Sequence, residues 1–336
     1  MIEPGATHER EPMGSRKILR GLVFAALGSA VVSAVLVVVG DGPAVARALR
    51  GFDPLTLVWM LLLGAAGFLV RSVRWGALMR EIGHPVAFRD ALYMQVSGQA
   101  MTVTPGRVGE VVKPWLGREI AGMRMTRGVT LVFAERVADL IAVCLLALGG
   151  LTALGGATWV LLLGLAVVAA GTALAGSAWF HGLALRVVRS RERARKHEAS
   201  AEAIADTLRR ALDWRVLVWS VPASVIAWGF EGIGFALCLR AFGFDALGLL
   251  ADVSVYGVAT IAGAFSFLPG GIGLTEASMA GILVAAGMPA ASAAGATVVT
   301  RVATLWWGVA LGWIALASRP ALLRRVLGGE PTGGAS

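Results

Sequence analysis

The chain is poor in charge. Asp, Glu, Lys and Arg make up only 15% of its 336 residues, against about a quarter in soluble domains. Hydrophobic residues make up 57%, and the mean hydropathy is +0.75. That balance excludes an ordinary soluble domain and predicts a multi-span membrane protein. There are two cysteines, Cys144 and Cys238, each inside an apolar stretch, so neither a disulfide framework nor a metal-ligand spacing is present. The four histidines, His8, His84, His181 and His197, are scattered at the edges of apolar stretches and never paired, as expected of solvated or interfacial side chains. With no Ser/His/Asp set, no paired-aspartate motif and no zinc cluster, no enzyme activity, metal or other cofactor is expected. The net charge of +9 would suit nucleic acid. The basic residues, however, flank apolar runs and form no aromatic-interleaved patches, so nucleic acid is rejected as a partner.

What the chain does contain is a repeat. Thr104-Pro105-Gly106-Arg107-Val108-Gly109-Glu110-Val111-Val112-Lys113-Pro114 has a later counterpart in Leu268-Pro269-Gly270-Gly271-Ile272-Gly273-Leu274-Thr275-Glu276, 164 residues on. Each reads as an apolar helix, a Pro-Gly break, further glycine and then a carboxylate. Downstream, Glu135-Arg136-Val137-Ala138-Asp139-Leu140 matches Thr300-Arg301-Val302-Ala303-Thr304-Leu305 at an offset of 165. Upstream, Leu78-Met79-Arg80-Glu81-Ile82-Gly83 matches Cys238-Leu239-Arg240-Ala241-Phe242-Gly243 at an offset of 160. Two halves follow, each with a broken helix.

In chain order, residues 1–19 are a polar, flexible cytosolic tail. Residues 20–181 hold the first membrane repeat and the start of the second, 182–214 a basic cytosolic linker with eight Lys or Arg, 215–318 the rest of the second repeat, and 319–336 a cytosolic tail. Full spans are expected over 21–39, 55–79, 128–148, 158–180, 216–239 and 290–317, with a loop over 41–53. The first apolar run is too long for a signal peptide and is read as uncleaved. The segments around the Pro-Gly breaks are too short to cross a ~30 Å core as single helices. They are read as re-entrant hairpins, over about 91–119 and 250–286. Irregular backbone at that depth is tolerated only against protein or a water-filled cavity. Arginines near the N-terminus, in the 71–89 region, in the linker and at the C-terminus place both termini in the cytosol. The two halves then run in opposite directions. The expected fold is therefore an all-α polytopic membrane protein, an inverted repeat of three spans plus one re-entrant hairpin per half, the architecture of alternating-access carriers.

Charge at the centre of a span costs on the order of 2.5–3.5 kcal/mol even on lenient scales, so Glu135, Arg136 and Asp139 must face the interior. Glu135 and Asp139 share a face, and Arg136 can pair with Asp139. Either these residues form a structural ion pair, or Arg136 and Arg301 make an anion site that the carboxylates orient or protonate. Arg107, Glu110 and Lys113 fall near one stripe of the returning helix and are candidates for headgroup contact or for a solvated face. The N–H groups after each break suit a phosphate or carboxylate. Gly106, Gly109, Gly270, Gly271 and Gly273 allow either close backbone approach or helix packing. Glu231 and Glu276 stand isolated in apolar surroundings and are candidate coupling acids or buried hydrogen-bonded ones.

The run Pro105-Gly106-Arg107-Val108-Gly109-Glu110, the Glu135-Arg136-x-x-Asp139 span, and Leu268-Pro269-Gly270-Gly271-Ile272-Gly273 with Glu276 together resemble the flippase-like, lysylphosphatidylglycerol synthase transmembrane-region family (UPF0104-like), over about residues 20–318. The resemblance implies translocation of a lipid, of phospholipid or polyprenyl-phosphate type, between leaflets of the bacterial cytoplasmic (inner) membrane. The chain carries no aminoacyl-transfer domain after its membrane part, so lysyl-lipid synthesis is not expected of it. A proton-coupled carrier of a small soluble anion and a non-transporting scaffold for a lipid-modifying enzyme are the alternatives. Homo-oligomerisation is left open.

Overall fold

The computed structural model describes residues 42–103, 109–151, 158–177, 182, 198–266 and 268–326, and among them every regular element is helical. These are α1 (Gly42–Arg50), α2 (Pro54–Glu81), α3 (Phe88–Ser97), α4 (Gly109–Ala121), α5 (Met125–Leu151), α6 (Thr158–Gly176), α7 (Glu198–Ala211), α8 (Trp214–Ala241), α9 (Leu249–Phe265), α10 (Leu274–Ala285), α11 (Ala290–Ala317) and α12 (Pro320–Val326). The expected first span over 21–39 lies outside the described residues, as do the two tails apart from 319–326. The segment expected as a loop over 41–53 instead contains α1. Pro43 at its start occupies a first-turn position where the missing N–H costs nothing.

Helices α2, α8 and α11 each have 28 residues and are apolar enough to cross a membrane. At 1.5 Å per residue each is about 42 Å long, more than a ~30 Å hydrocarbon core requires. Helix α5 has 27 residues and carries the three expected charges. Large apolar side chains stay exposed along the spans, among them Leu55, Val58, Leu62 and Val73 on α2 and Val218 and Ile226 on α8, as lipid contact allows and water does not. The chain is a helical membrane protein.

Local geometry repeats along with the sequence. α8 starts and ends 160 residues after α2 (214 − 54 and 241 − 81). Asp53 and Asp213 each cap their helix, with a side-chain oxygen accepting the N–H of Leu55 at 3.0 Å and of Arg215 at 2.9 Å. Both helices end on a left-handed glycine, Gly83 (φ 84°) and Gly243 (φ 75°), a backbone shape that a Cβ disfavours. Asp53→Ala should cost about 1 kcal/mol through the lost cap, to be checked as a small drop in Tm in detergent.

α2 and α8 pack antiparallel: a Cβ on Gly67 would lie 3.1 Å from the Ala227 carbonyl, and one on Gly234 3.7 Å from Met60. With no hydrophobic drive between helices in lipid, small residues that permit close backbone approach do this work. The short helices around the breaks pack across the halves. α9 lies on α5, where Ser254 accepts the Gly150 N–H at 2.9 Å and Gly257 meets Ala147. The turn Gly98–Met101 after α3 lies on α11 at Gly312. In the first broken segment the α-helix stops at Ser97 and tightens into a 3₁₀ turn over Gly98–Met101. In the second, the break holds three left-handed glycines, Gly270 (φ 60°), Gly271 (φ 67°) and Gly273 (φ 98°). Among the described residues, two large apolar clusters and a small one of Val103, Ile272 and Val309 complete the core. One large cluster lies around Trp75, Met79, Met94, Leu116 and Leu131, the other around Phe235, Leu239, Val255, Met279 and Leu283.

Candidate functional site

Among the described residues, five charged side chains from three helices meet inside the bundle. Arg74 of α2 donates to Glu135 Oε1 at 2.8 Å and to Asp139 Oδ1 at 2.6 Å, both on α5. It also contacts Ser224 Oγ of α8. The two carboxylates lie one turn apart on one helix face, so a single forked guanidinium spans both. Lys113 of α4 donates to Glu135 Oε2 at 2.5 Å and to Gln95 Oε1 of α3 at 2.6 Å, and its Nζ lies 3.8 Å from the Trp75 ring centre. Arg74, Lys113, Glu135, Asp139 and Gln95 are all buried. Arg136 flanks them, 3.4 Å from Asp139 and 3.9 Å from Glu135, and its side chain alone is substantially exposed, at 38%. In a low-dielectric interior such charges persist only when paired and hydrogen-bonded, which the network achieves by joining α2, α4, α5 and α8.

A second group lies deeper along α2. Arg71 pairs with Glu231 of α8 at 2.7 Å, stacks 4.7 Å from the Trp228 ring, and Glu231 accepts the Tyr256 hydroxyl of α9 at 2.5 Å. A third holds the second break. Arg301 Nε donates to Glu276 Oε1 at 2.6 Å, and its Nη2 to the Gly270 carbonyl at 2.6 Å. Glu276 Oε2 accepts the Gly273 N–H at 2.6 Å. One arginine and one carboxylate thus fix a loop that glycine leaves conformationally free. α11 switches to a π-helical turn, Val302–Trp306, directly after Arg301. Among the described residues no three His, Cys, Asp or Glu side chains gather as a metal site.

Residues 25–312 match the family described as Lysylphosphatidylglycerol synthase TM region. The chain belongs to this family. Two curated relatives, both described as UPF0104 membrane protein and both from Methanothermobacter thermautotrophicus, are similar along nearly their whole length. One is 27% identical over 326 residues, covering 88% of this chain and 95% of the relative. The other is 25% identical over 321 residues, covering 88% and 92%.

In this member of the family, Glu135, Arg136, Asp139 and Lys113 come together as one network, but Lys113 is buried in it and lies on no solvated face. Arg301, Glu276, Gly270, Gly271 and Gly273 form a separate group at the second break. Glu231 sits in neither, held by Arg71 and Tyr256. Gly109 opens α4. Gly106, Arg107 and the side chain of Glu110 lie outside the described residues. The sequence puts Arg71 and Arg74 in the arginine-rich region at a membrane face; both are buried, and Arg74 is the hub of the network. Depth was the available signal: Arg71 and Arg74 precede the helix end at Glu81 by ten and seven residues, about 15 and 10 Å inside the span. The exposed Arg80 and Arg89 are what remains of the basic signal in that region.

Proposed function

We propose that this protein moves a lipid with a polar or phosphate-bearing headgroup between the leaflets of the cytoplasmic membrane by alternating access, and that it leaves the lipid chemically unchanged. On this reading the fold is an inverted repeat in which the two broken segments are re-entrant hairpins. Its support is that residues 160 apart meet where α2 crosses α8, namely Gly67 with Ala227 and Arg71 with Glu231. Contacts between equivalent positions of antiparallel helices are what a twofold axis lying in the membrane plane produces. The hairpin helices α9 and α10, with 17 and 12 residues, are about 26 and 18 Å long, too short for a full crossing. The family's name links it to a lipid-making synthase.

The observation that carries the transport reading is Arg136. It is the accessible edge of an otherwise buried network at mid-span, where charge is costly and is kept for function. A headgroup phosphate would meet its guanidinium, Glu135 and Asp139 would hold that guanidinium in place, and the acyl chains would remain in lipid. Losing one charge-assisted contact of about 1.5–3 kcal/mol corresponds to roughly 10- to 100-fold in rate. Arg136→Ala should therefore slow the movement of a fluorescent phospholipid in proteoliposomes by that factor, with the Tm in detergent unchanged. A normal flipping rate in this variant would remove the proposal.

A further inference from the structure

Away from the network, the end of α2 and the start of α8 lie side by side, and the last turn of α7 covers their junction. Glu81, Arg209, Arg210, Asp213, Arg215 and Trp219 line a pocket of about 500 Å³ there, within the size range of ligand sites. Some of its charges are already engaged. Arg210 pairs with Asp206 at 2.8 Å, Arg209 lies 3.9 Å from the same carboxylate, and Asp213 caps α8. Two are not. Among the described residues, Arg215 rests 5.7 Å from the Trp214 ring centre and has no carboxylate within 4.0 Å, and Glu81 has no cation within 4.0 Å. The pocket therefore offers a cationic and an anionic group that no described residue neutralises. Its surroundings mark the boundary between lipid and water. Trp214 is 68% exposed at the first position of a span, and Val218, one turn further along, is 65% exposed on the lipid side.

We propose that this pocket holds the headgroup of an ethanolamine-type phospholipid as a resident lipid. The phosphodiester meets Arg215, the primary ammonium meets Glu81, the glycerol lies on Trp219, and the acyl chains descend along α8 past Val218. A headgroup carrying both signs matches a pocket carrying both signs. Phosphatidylglycerol would satisfy Arg215 and leave Glu81 facing a hydroxyl. The site is independent of the transport proposal, because it shares no residue with the network around Arg136.

Native mass spectrometry of the full-length protein, titrated with phosphatidylethanolamine and phosphatidylglycerol of identical chains, tests it. One charge-assisted contact predicts a preference for the ethanolamine lipid of roughly 10-fold. Glu81→Gln should abolish that preference while leaving phosphatidylglycerol binding unchanged, and Arg215→Ala should weaken both. Both side chains are exposed, so the Tm of each variant should equal the parent's and confirm that the fold is intact. Arg136→Ala should keep the preference, which separates this site from the transport site. Equal retention of both lipids by the parent, or a preference that survives Glu81→Gln, would overturn the assignment. Displacement by soluble glycerophosphoethanolamine at equal concentration would also overturn it, giving the pocket to a water-soluble compound.

Discussion

Arg74→Ala should be the most damaging single truncation in the buried network, costing about 3–5 kcal/mol. The variant strips Glu135 and Asp139 of the guanidinium that bridges them and takes the donor away from Ser224 Oγ, which keeps only the Ser220 carbonyl. Lys113 would remain on Glu135, but Asp139 would keep only the partly exposed Arg136 on its own helix. The cost arises from isolating a buried charge, so it exceeds the value of the intact pairs themselves. Thermal unfolding in detergent reads it directly, and a Tm within 2 °C of the parent, an allowance of roughly 1 kcal/mol or less, would contradict the assigned role. Arg74→Lys should fall between the two, since an ammonium keeps the charge but cannot fork across both carboxylates. The contrast with Arg136→Ala is informative: one arginine is expected to govern folding and the other transport, although both touch the same two acids.

The second large effect is expected at Gly312. A Cβ there would lie 2.2 Å from the Ala100 backbone nitrogen and 2.7 Å from its Cα, so the clash is with main chain, which cannot rotate aside. Gly312→Val should force α11 off the turn at Gly98–Met101, at the upper end of the roughly 1–3 kcal/mol typical of overpacking, and should stop lipid movement. Gly150, 2.3 Å by the same measure from the Leu250 carbonyl, is the matching contact between α5 and α9 and should behave alike. Gly229→Ala is the control: nothing lies within 4 Å of its would-be Cβ, and an alanine in a helix interior gains about 0.5–1 kcal/mol over glycine. Comparing Tm and flipping rate across the three separates close packing from helix propensity. Equal behaviour of Gly312→Val and Gly229→Ala would show that the crossed packing does not matter.

Most of the architecture could be read from apolar length and glycine placement. The span expected over 290–317 coincides with α11, and those over 55–79 and 216–239 fall within one or two residues of α2 and α8, because lipid imposes a minimum length that composition records. The inward-facing Glu135 and Asp139 were legible because a carboxylate in an apolar run has nowhere else to go. Their principal partner was not legible, since Arg74 precedes Glu135 by 61 residues and no local pattern announces the contact. The same holds for Glu231, whose partner Arg71 lies 160 residues away. For Lys113 the sequence leaves headgroup contact and a solvated face both open, because spacing of three puts it near a stripe; the packing of α4 against α5 buries it and removes the second. α1 was missed because a nine-residue helix is barely two and a half turns and carries Gly42 and Pro43 at its start.

The meeting of Arg71 with Glu231 bears on how such a chain could arise. If the two halves descend from one gene, their common ancestor would have formed a pair of identical subunits, and each would have set this position against its own copy. An arginine there would have faced an arginine, and a glutamate a glutamate. Like charges facing each other in a dry interior are costly, so on that descent the ancestral residue would have been uncharged. An attractive pair at this position would then have become possible only after the two copies could mutate separately, and the bridge would be younger than the fold. Each of its residues depends on the other: removing either charge alone should be worse than replacing both with neutral side chains of similar volume.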